Sequence, residues 1–259
     1  MTIHNYTSVT ELSGELISNE QLLRMHNRYM WASTFSKNAD VLELACGTGP
    51  GLGLLSKFSK SLIGCDIDPK ILSMAKTNYN HNIDLRCEDI SKLKYKDNSF
   101  DLIVIFEAVY YLPDVDVFFK ECFRTLRPGG YLLISNANKD LENFNPSPHS
   151  FTYHGVVELN ELLNKLSFEC SFFGYLSLMS VSFRQKLLAP LKKIAIFLGL
   201  MPKTMWGKKF LKRFVFGRLV LMPAQLYGNE FHYDEPTPIP KDLPDKFHKV
   251  IYCAAKKPL

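Results

Sequence analysis

Two glycines and an acid in the first third of the chain have the spacing of a ligand-binding turn. Residues 41–51 read VLELACGTGPG, with Glu43 four positions ahead of Gly47 and a second glycine at Gly49. Glycines at these positions let the backbone turn sharply and approach a ligand, and the helix expected next presents its N-terminus to it. A dinucleotide-binding turn needs a third glycine where this chain has Leu52. The spacing therefore argues against a dinucleotide.

The acids predict the charge of the ligand. A carboxylate beside the turn, at Glu43, repels a pyrophosphate at short range, whereas it suits a cationic group. A second acid, Asp66, ends the next predicted strand. There it can accept hydrogen bonds from both hydroxyls of a ribose, each contributing roughly 1.5 to 3 kcal/mol. A cation and a ribose in one ligand describe S-adenosylmethionine.

Such a turn needs a parallel sheet to position it, and the sequence predicts one. Short β-rich runs alternate with helical patterns over residues 40–175, and a last strand is predicted over 247–255. The fold class predicted is α/β: a Rossmann-like, doubly wound, mostly parallel seven-stranded sheet with helices on both faces. The other predicted strands cover residues 41–45, 61–66, 83–88, 100–106, 131–135 and 168–175.

An amphipathic helix is predicted ahead of the sheet, over residues 19–35. Its Tyr29 and Trp31 are expected either to pack in the core or to close over a sulfonium by cation–π attraction. Within the C-terminal third, the stretch DEPTPIPKDLP is predicted as an extended connector. The segments predicted are an N-terminal helical cap over 1–38, a core over 39–177, a basic helical insertion or acceptor lid over 178–245, and a final strand and tail over 246–259.

Five motifs in order resemble those of the class I S-adenosylmethionine-dependent methyltransferases, and among them the type 11 group that methylates small molecules. The motifs are VLELACGTGPG, GCDIDP, CEDI, FDLIVIFEAVYYLPD and LRPGGYLLIS. By this resemblance Asp66 binds the ribose and Ile67 packs on adenine. Asp89 then faces the adenine amino group, and Arg28 meets the carboxylate of the cofactor. The predicted cofactor residues are Arg28, Glu43, Ala45, Gly47, Thr48, Gly49, Asp66, Ile67, Asp89, Ile90 and Phe106.

The acceptor side is predicted from the segments that follow two strands. Methyl transfer from a sulfonium is an in-line displacement, so the protein mainly aligns donor and acceptor. By the resemblance Glu107 lies at the strand end that faces the methyl group, as a candidate base for a hydroxyl acceptor; the alternatives are a contact to the cofactor ammonium and a helix N-terminal acid. His154 is a second candidate base, because an imidazole titrates near neutrality, although a histidine in a polar loop is more often a plain surface residue. The predicted catalytic residues are Glu107, Tyr110 and His154.

Positive charge is concentrated in one stretch of the chain. The formal net charge is +5 over 259 residues, and residues 170–229 hold ten lysines and arginines without a single acid. Three interpretations stay open: an apolar face on the sheet with its lysines in solvent, peripheral contact with an anionic membrane or a lipid-linked sugar, and nucleic-acid binding. No recognised nucleic-acid module accompanies the charge, which argues against the last.

Composition and missing motifs exclude several classes of protein. Hydrophobic content of 46% and charged content of 22% are ordinary for a globular domain. We find no signal-peptide pattern, no apolar run long enough for a bilayer, and no cysteine or histidine spacing for a metal. The expectation is a cytoplasmic methyltransferase, with the inner membrane surface as a peripheral alternative, acting on O or N of a small-molecule or glycan- or lipid-linked acceptor. A non-catalytic S-adenosylmethionine-binding protein or membrane adaptor is the alternative.

Overall fold

A central, mostly parallel sheet dominates the part of the chain that the computed structural model describes, residues 12–147, 149–178 and 219–259. A short 3₁₀ turn, Val109–Tyr111, follows the fifth strand. The elements in chain order are β1 (Leu16–Ser18), α1 (Asn19–Ser33), β2 (Asp40–Leu44), α2 (Leu52–Ser56), β3 (Ser61–Asp66), α3 (Pro69–Asn78), β4 (Asp84–Cys87), β5 (Phe100–Phe106), α4 (Val115–Thr125), β6 (Leu126–Ala137), α5 (Val156–Asn164), β7 (Glu169–Ser177), β8 (Leu219–Leu221), β9 (Thr237–Ile239) and β10 (His248–Lys256).

The sheet is doubly wound, as predicted. Its strand order is β4-β3-β2-β5-β6-β10-β7-β9. Strands β2 to β6 pair in parallel, whereas β10 runs antiparallel to both β6 and β7. The chain moves outward from β2 to β4 and then returns to place β5 on the other side of β2. The order therefore reverses between β2 and β5, and ligands of such sheets bind beyond the carboxyl ends of the strands at this point.

The sheet has eight strands rather than the seven predicted. The additional strand, β9, lies in the stretch that we predicted as an extended connector. It pairs antiparallel with β7, and Thr237 is opposite Gly174. Its central residue, Pro238, donates no ladder hydrogen bond and is tolerated because β9 is an edge strand.

The two faces of the sheet bury different helices. Along β2, Leu42 and Leu44 belong to a core cluster that also contains Phe118 of α4 and Leu159 of α5. Val41 points to the opposite face, where its cluster includes side chains of α1 and α2. Successive strand residues point to opposite faces of a sheet, so this division follows from the pleat. The predicted helices on both faces are thus present.

Most of the predicted basic insertion lies outside the described residues. Residues 179–218, which carry all ten of its lysines and arginines, are not among them, and neither is any helix predicted there. In the described residues 219–245 the chain forms β8, β9 and loops, without a helix. β8 pairs antiparallel with β1, and the backbone N–H of Leu226 donates to Pro50 O at 2.7 Å. Among the helices of the described residues, none has the length and apolarity that crossing a membrane requires.

Helix α1 packs its C-terminal half against the sheet through aromatic side chains. Its start is fixed by a capping box, in which Ser18 Oγ accepts from Gln21 N and the Gln21 side chain accepts from Ser18 N. Trp31 is buried and stacks on Tyr252 of β10 with ring centroids 4.9 Å apart. Of the two roles predicted for Trp31, the structure therefore shows core packing. Tyr29 is also buried, and its ring meets Phe106 edge to face at 5.3 Å.

Gly51 is the residue that lets α1 approach the first helix of the sheet. A Cβ built on Gly51 overlaps the ring of Tyr29. We expect Gly51→Ala to displace that ring and to destabilise the protein by about 1 to 3 kcal/mol, the usual cost of overpacking. Urea denaturation measures the difference, with Ser56→Ala on the exposed side of α2 as the control, which we expect to stay within about 0.5 kcal/mol of the parent. Equal stability of Gly51→Ala and the parent would contradict this packing.

Candidate active site

A cavity of about 470 Å³ opens at the carboxyl ends of four parallel strands. Because the strand order is β4-β3-β2-β5, the residues after these strands follow one another along the sheet edge as Asp89, Asp66, Gly47 and Glu107. All four line the cavity. Nine of the eleven predicted cofactor residues lie on its wall: Arg28, Ala45, Gly47, Thr48, Asp66, Ile67, Asp89, Ile90 and Phe106.

The glycine turn is held from below by one tyrosine. The Tyr79 hydroxyl donates to Gly49 O at 2.5 Å and accepts from Gly53 N at 2.9 Å. Gly47 and Gly49 have φ values of +59° and +73°, which glycine adopts without a Cβ clash. Gly49 itself does not line the cavity. It shapes the turn, while Gly47 carries the backbone that reaches the cavity.

Two non-glycine residues of the cavity wall also have left-handed backbones. They are Ala45 at φ +54° and Glu107 at φ +53°, each directly after the end of its strand. Such conformations cost about 1 to 3 kcal/mol each and persist where the surrounding structure fixes them. Glu107 N donates to Ser135 O at 2.7 Å, which fixes the second of the two turns. Both strained residues aim the chain after a strand end into the same cavity.

Asp66 is the carboxylate best placed to bind a hydroxyl pair. It is mostly buried, and its two oxygens accept from Gly47 N and Asp68 N, each at 2.9 Å. Each carboxylate oxygen keeps a second lone pair for a ligand. Burial raises the pKa of Asp66, while the backbone hydrogen bonds from Asp68 and Gly47 lower it. Ile67, the next residue, exposes 48% of its surface beside it, as a platform for an apolar ring.

The loop after β4 forms a more exposed part of the cavity wall. Asp89 follows β4, and its Oδ1 accepts from the backbone N–H and the hydroxyl of Ser91 at 3.0 and 2.7 Å. Ile90, between them, is buried. These contacts fix the loop, and Asp89 lines the cavity at its β4 end, whereas Glu107 lines it at the β5 end.

Glu43 lies behind the cavity wall rather than on it. Its side chain faces α1, where Tyr29 Oη donates to Glu43 Oε1 at 2.5 Å and Tyr29 itself lines the cavity. Burial raises the pKa of Glu43 from 4.5 to about 7, although the hydrogen bond from Tyr29 and the charge of Arg28 lower it. The Arg28 guanidinium lies 5.7 Å from the centroid of Tyr29 and 5.8 Å from that of Phe106. Tyr29 therefore separates Glu43 from the cavity.

This buried carboxyl makes stability depend on pH. Its pKa is higher in the folded protein than in the unfolded chain, so the folded state binds the extra proton between pH 4.5 and about 7. Stability then falls as the pH rises through this window, by roughly 3 kcal/mol for this group. Gln at this position still accepts the Tyr29 hydrogen bond but does not titrate.

We therefore expect Glu43→Gln to remove that part of the pH dependence and to be more stable than the parent at about pH 8. Urea denaturation at about pH 5 and about pH 8 gives the two free energies for each protein. Parallel pH dependence in both proteins would show that Glu43 is ionised in the folded state throughout.

The acceptor side of the cavity is aromatic. The Tyr110 hydroxyl donates to Glu107 Oε2 at 3.1 Å. Burial raises the pKa of Tyr110, and the negative charge of Glu107 raises it further. The Tyr110 ring stacks on Tyr153 at 4.1 Å and adjoins Tyr111 at 4.7 Å. Phe151, whose backbone N–H donates to Tyr110 O, lines the same side and exposes 54% of its surface. The Glu107 carboxylate thus lies on a part of the cavity wall that is formed mainly by aromatic side chains.

His154 is not on the cavity wall. It directly precedes Gly155, the N-cap of α5, and this turn carries the imidazole towards Lys139 and Glu158. Burial lowers its pKa, and its Nδ1 is buried without a hydrogen-bond partner among the described residues. Of the three predicted catalytic residues, Glu107 and Tyr110 line the cavity and His154 does not.

Helix α1 supplies cavity residues that the sequence analysis did not name. Besides Arg28, these are Gln21, Arg24 and Met25. Together with Arg28 they follow the i, i+3, i+4, i+7 spacing of one helix face, and this spacing is the sequence pattern that indicates their shared position. An amphipathic pattern is defined by its apolar residues, so it does not reveal a mixed polar face such as this one. Met222, after β8, closes the cavity from a segment distant in sequence and had no such signal.

Comparison with known proteins agrees with this geometry. Residues 42–134 match the type 11 family described as a methyltransferase domain. A Mycolicibacterium smegmatis protein named "Probable S-adenosylmethionine-dependent methyltransferase" is 35% identical over 136 residues, which are 50% of this chain and 52% of that protein. A Bradyrhizobium diazoefficiens ubiquinone biosynthesis O-methyltransferase is 30% identical over 107 residues, 40% of this chain and 42% of that enzyme. The chain thus spans about half the length of the curated relatives it matches.

A solved structure shows the same fold at low identity. The S-adenosylmethionine-dependent methyltransferase of Thermotoga maritima aligns with 92% of this chain and 94% of its own, at 14% identity and a TM-score of 0.57. This likeness concerns the fold alone. The family match over residues 42–134 and the relatives named as S-adenosylmethionine-dependent methyltransferases show that this segment of the chain is a methyltransferase domain of the type 11 kind.

Proposed function

We propose that this protein transfers the methyl group of S-adenosylmethionine to the oxygen of a small hydroxyl-bearing acceptor, with Glu107 as the base. The observation that carries the proposal is the Glu107 carboxylate on the cavity wall, at a strained strand end and hydrogen-bonded to Tyr110. A carboxylate there can take the proton of a hydroxyl as the hydroxyl attacks. An amine acceptor needs such a base less, so the geometry favours oxygen over nitrogen.

The wall of the cavity fits the cofactor. Asp66 offers free lone pairs on both oxygens for the ribose, and Ile67 offers an exposed apolar surface for the base. Tyr29 and Phe106 present rings towards the cavity, and aromatic faces attract cations. When bound there, S-adenosylmethionine supplies an electrophilic methyl group on a sulfonium. Arg28 on the same wall is the group that suits the carboxylate of its methionine part.

The protein residues then do three things in the proposed reaction. Asp66 and the glycine turn fix the donor, so that the displacement starts from one orientation. Phe151 and Tyr111 bound the acceptor side with apolar surface, which excludes water from the reacting oxygen. Glu107 accepts the acceptor proton, and the Tyr110 hydroxyl holds its carboxylate in place.

The acceptor is proposed to be a small, planar molecule of the phenol type. Three aromatic side chains on the cavity wall, Tyr110, Tyr111 and Phe151, suit a flat ring. The name of the Bradyrhizobium relative, an O-methyltransferase, supports oxygen as the methylated atom. A glycan- or lipid-linked acceptor stays a prediction of the sequence, since it depended on residues 179–218.

Turnover with labelled donor tests the proposed function. The protein is incubated with methyl-labelled S-adenosylmethionine and a panel of simple phenols, alcohols and anilines, and the products are identified by mass spectrometry. Labelled ethers of phenols are the expected products. Labelled amines instead would overturn the choice of oxygen. Binding of S-adenosylmethionine without turnover on any panel member or on a cell extract would favour the non-catalytic alternative.

A further inference from the structure

The cavity holds one cation more than the cofactor needs. Its charged lining residues are Arg24, Arg28, Asp66, Asp89 and Glu107. In the proposed complex Asp66 binds the ribose, and Arg28 faces the cofactor carboxylate. S-adenosylmethionine carries a single carboxylate and no other anion, so the second guanidinium, of Arg24, has no anionic group of the cofactor to bind.

Arg24 also lacks a partner in the described part of the chain. Among the residues that the structure describes, no carboxylate pairs with it and no hydrogen bond satisfies it. It is half-buried, in a cavity whose carboxylates, Asp66, Asp89 and Glu107, all accept hydrogen bonds. A guanidinium that has lost part of its water without a partner is poised for an anionic ligand, since charge-assisted and bidentate hydrogen bonds to oxyanions are its strongest contacts.

The two arginines occupy different places along α1. Arg28 lies over the rings of Tyr29 and Phe106, and its charge lowers the pKa of the buried Glu43. Arg24 lies one helical turn nearer the N-terminus of α1, about 6 Å along the axis, and it is not among the groups that shift the pKa of Glu43. Arg28 is therefore the inner of the two, beside the wall of the glycine turn.

Arg24 and the proposed base, Glu107, line the same cavity. Burial raises the pKa of Tyr252, and the charges of Arg28, Glu107 and Arg24 all act on the same hydroxyl. Both arginines and the proposed base thus lie within electrostatic range of one point on β10. Asp89 lies beyond β3 from Glu107, at the far end of the row of strand ends.

From these contacts we infer that the acceptor carries an anionic oxygen group, such as a carboxylate or a phosphate, and that Arg24 binds it and thereby selects the substrate. This inference rests on the proposed function and adds to it the charge of the substrate. The ring of the acceptor lies against Phe151 and Tyr111, its hydroxyl faces Glu107, and its anion meets Arg24.

Equilibrium binding of two probes that differ only in charge tests the inference. The protein is saturated with S-adenosylhomocysteine, and calorimetry then measures the affinity for para-hydroxybenzoate and for the neutral para-hydroxybenzamide. We expect the carboxylate to bind at least about tenfold more tightly in the parent protein. Arg24→Gln is expected to remove that preference, with no more than about a twofold change in the affinity for S-adenosylhomocysteine.

Two controls separate the role of Arg24 from general electrostatics. Lys37→Gln removes the same charge from an exposed position after α1 and is expected to keep the preference. Arg28→Gln is expected to weaken S-adenosylhomocysteine instead. The inference is overturned if the parent binds both probes alike, including no measurable binding of either, or if Arg24→Gln keeps the preference. A preference for the carboxylate without any methyl transfer would sink the proposed function and leave the anion site standing.

Discussion

Asp66→Asn is expected to weaken the binding of S-adenosylmethionine at least about a hundredfold, because in the proposed complex both hydrogen bonds to the ribose depend on the charged carboxylate. Two charge-assisted bonds of about 1.5 to 3 kcal/mol each account for a loss of this size. Asn keeps the shape of the side chain. Its amide NH₂, however, turns one of the two acceptors that now serve Gly47 N and Asp68 N into a donor. Calorimetry with S-adenosylmethionine gives the dissociation constants.

A neighbouring acid provides the matched control for this substitution. Asp84, at the start of β4, pairs with Arg86 on the surface and is not on the cavity wall. Asp84→Asn changes the net charge equally and is expected to bind S-adenosylmethionine as the parent does. If Asp66→Asn retained parental affinity, Asp66 would be only a brace for the glycine turn, and the cofactor would have to lie elsewhere in the cavity.

The positions of most residues on the cavity wall could be predicted from the sequence because they depend on local rules. A strand followed by Gly-x-Gly gives the turn, and an acid at the end of the next strand lies on the same edge, since the carboxyl ends of parallel strands meet there. Asp66 and Gly47, 19 residues apart, come within hydrogen-bond distance by this rule alone. The same rule brought Asp89 and Glu107 into one row.

Glu43 shows where local rules stop. The pleat alone puts Glu43 on the same face as Val41, which is the face that α1 covers. Whether that face opens on the cavity depends on how α1 docks, and the docking brings Tyr29 between Glu43 and the cavity. The close contact between α1 and the segment at Gly51 depends on both parts of the chain, so neither sequence alone predicts it.

The missed strands have the same physical cause. β1 and β8 have three residues each and pair across about 200 positions of sequence, and β9 is an equally short edge strand. Such short pairs have little hydrophobic pattern of their own, and their stability comes from tertiary context. His154 lies off the cavity wall for a similar reason, because the turn at the start of α5 carries its imidazole towards Lys139 and Glu158.

Glu107→Gln carries the last test of the proposed reaction. We expect kcat to fall about a hundredfold or more, the usual contribution of a positioned general base. The dissociation constant for S-adenosylmethionine should change by less than about threefold, because this role places Glu107 against the acceptor. Gln has the same length and the same conformational preference, so the strained backbone at φ +53° is left as it is. The measurement pairs turnover of the phenol found by the labelling assay with calorimetry of the donor.

Tyr110→Phe separates the base from the group that holds it. This substitution deletes only the hydroxyl that donates to Glu107 Oε2. It is expected to lower kcat by about tenfold, less than the loss of the base itself, because a misplaced carboxylate still accepts a proton. If Glu107→Gln instead weakened the binding of S-adenosylmethionine and kept the parental kcat, Glu107 would not be the base. Its carboxylate would then face the ammonium group of the cofactor. The acceptor would in that case be methylated through desolvation and alignment alone.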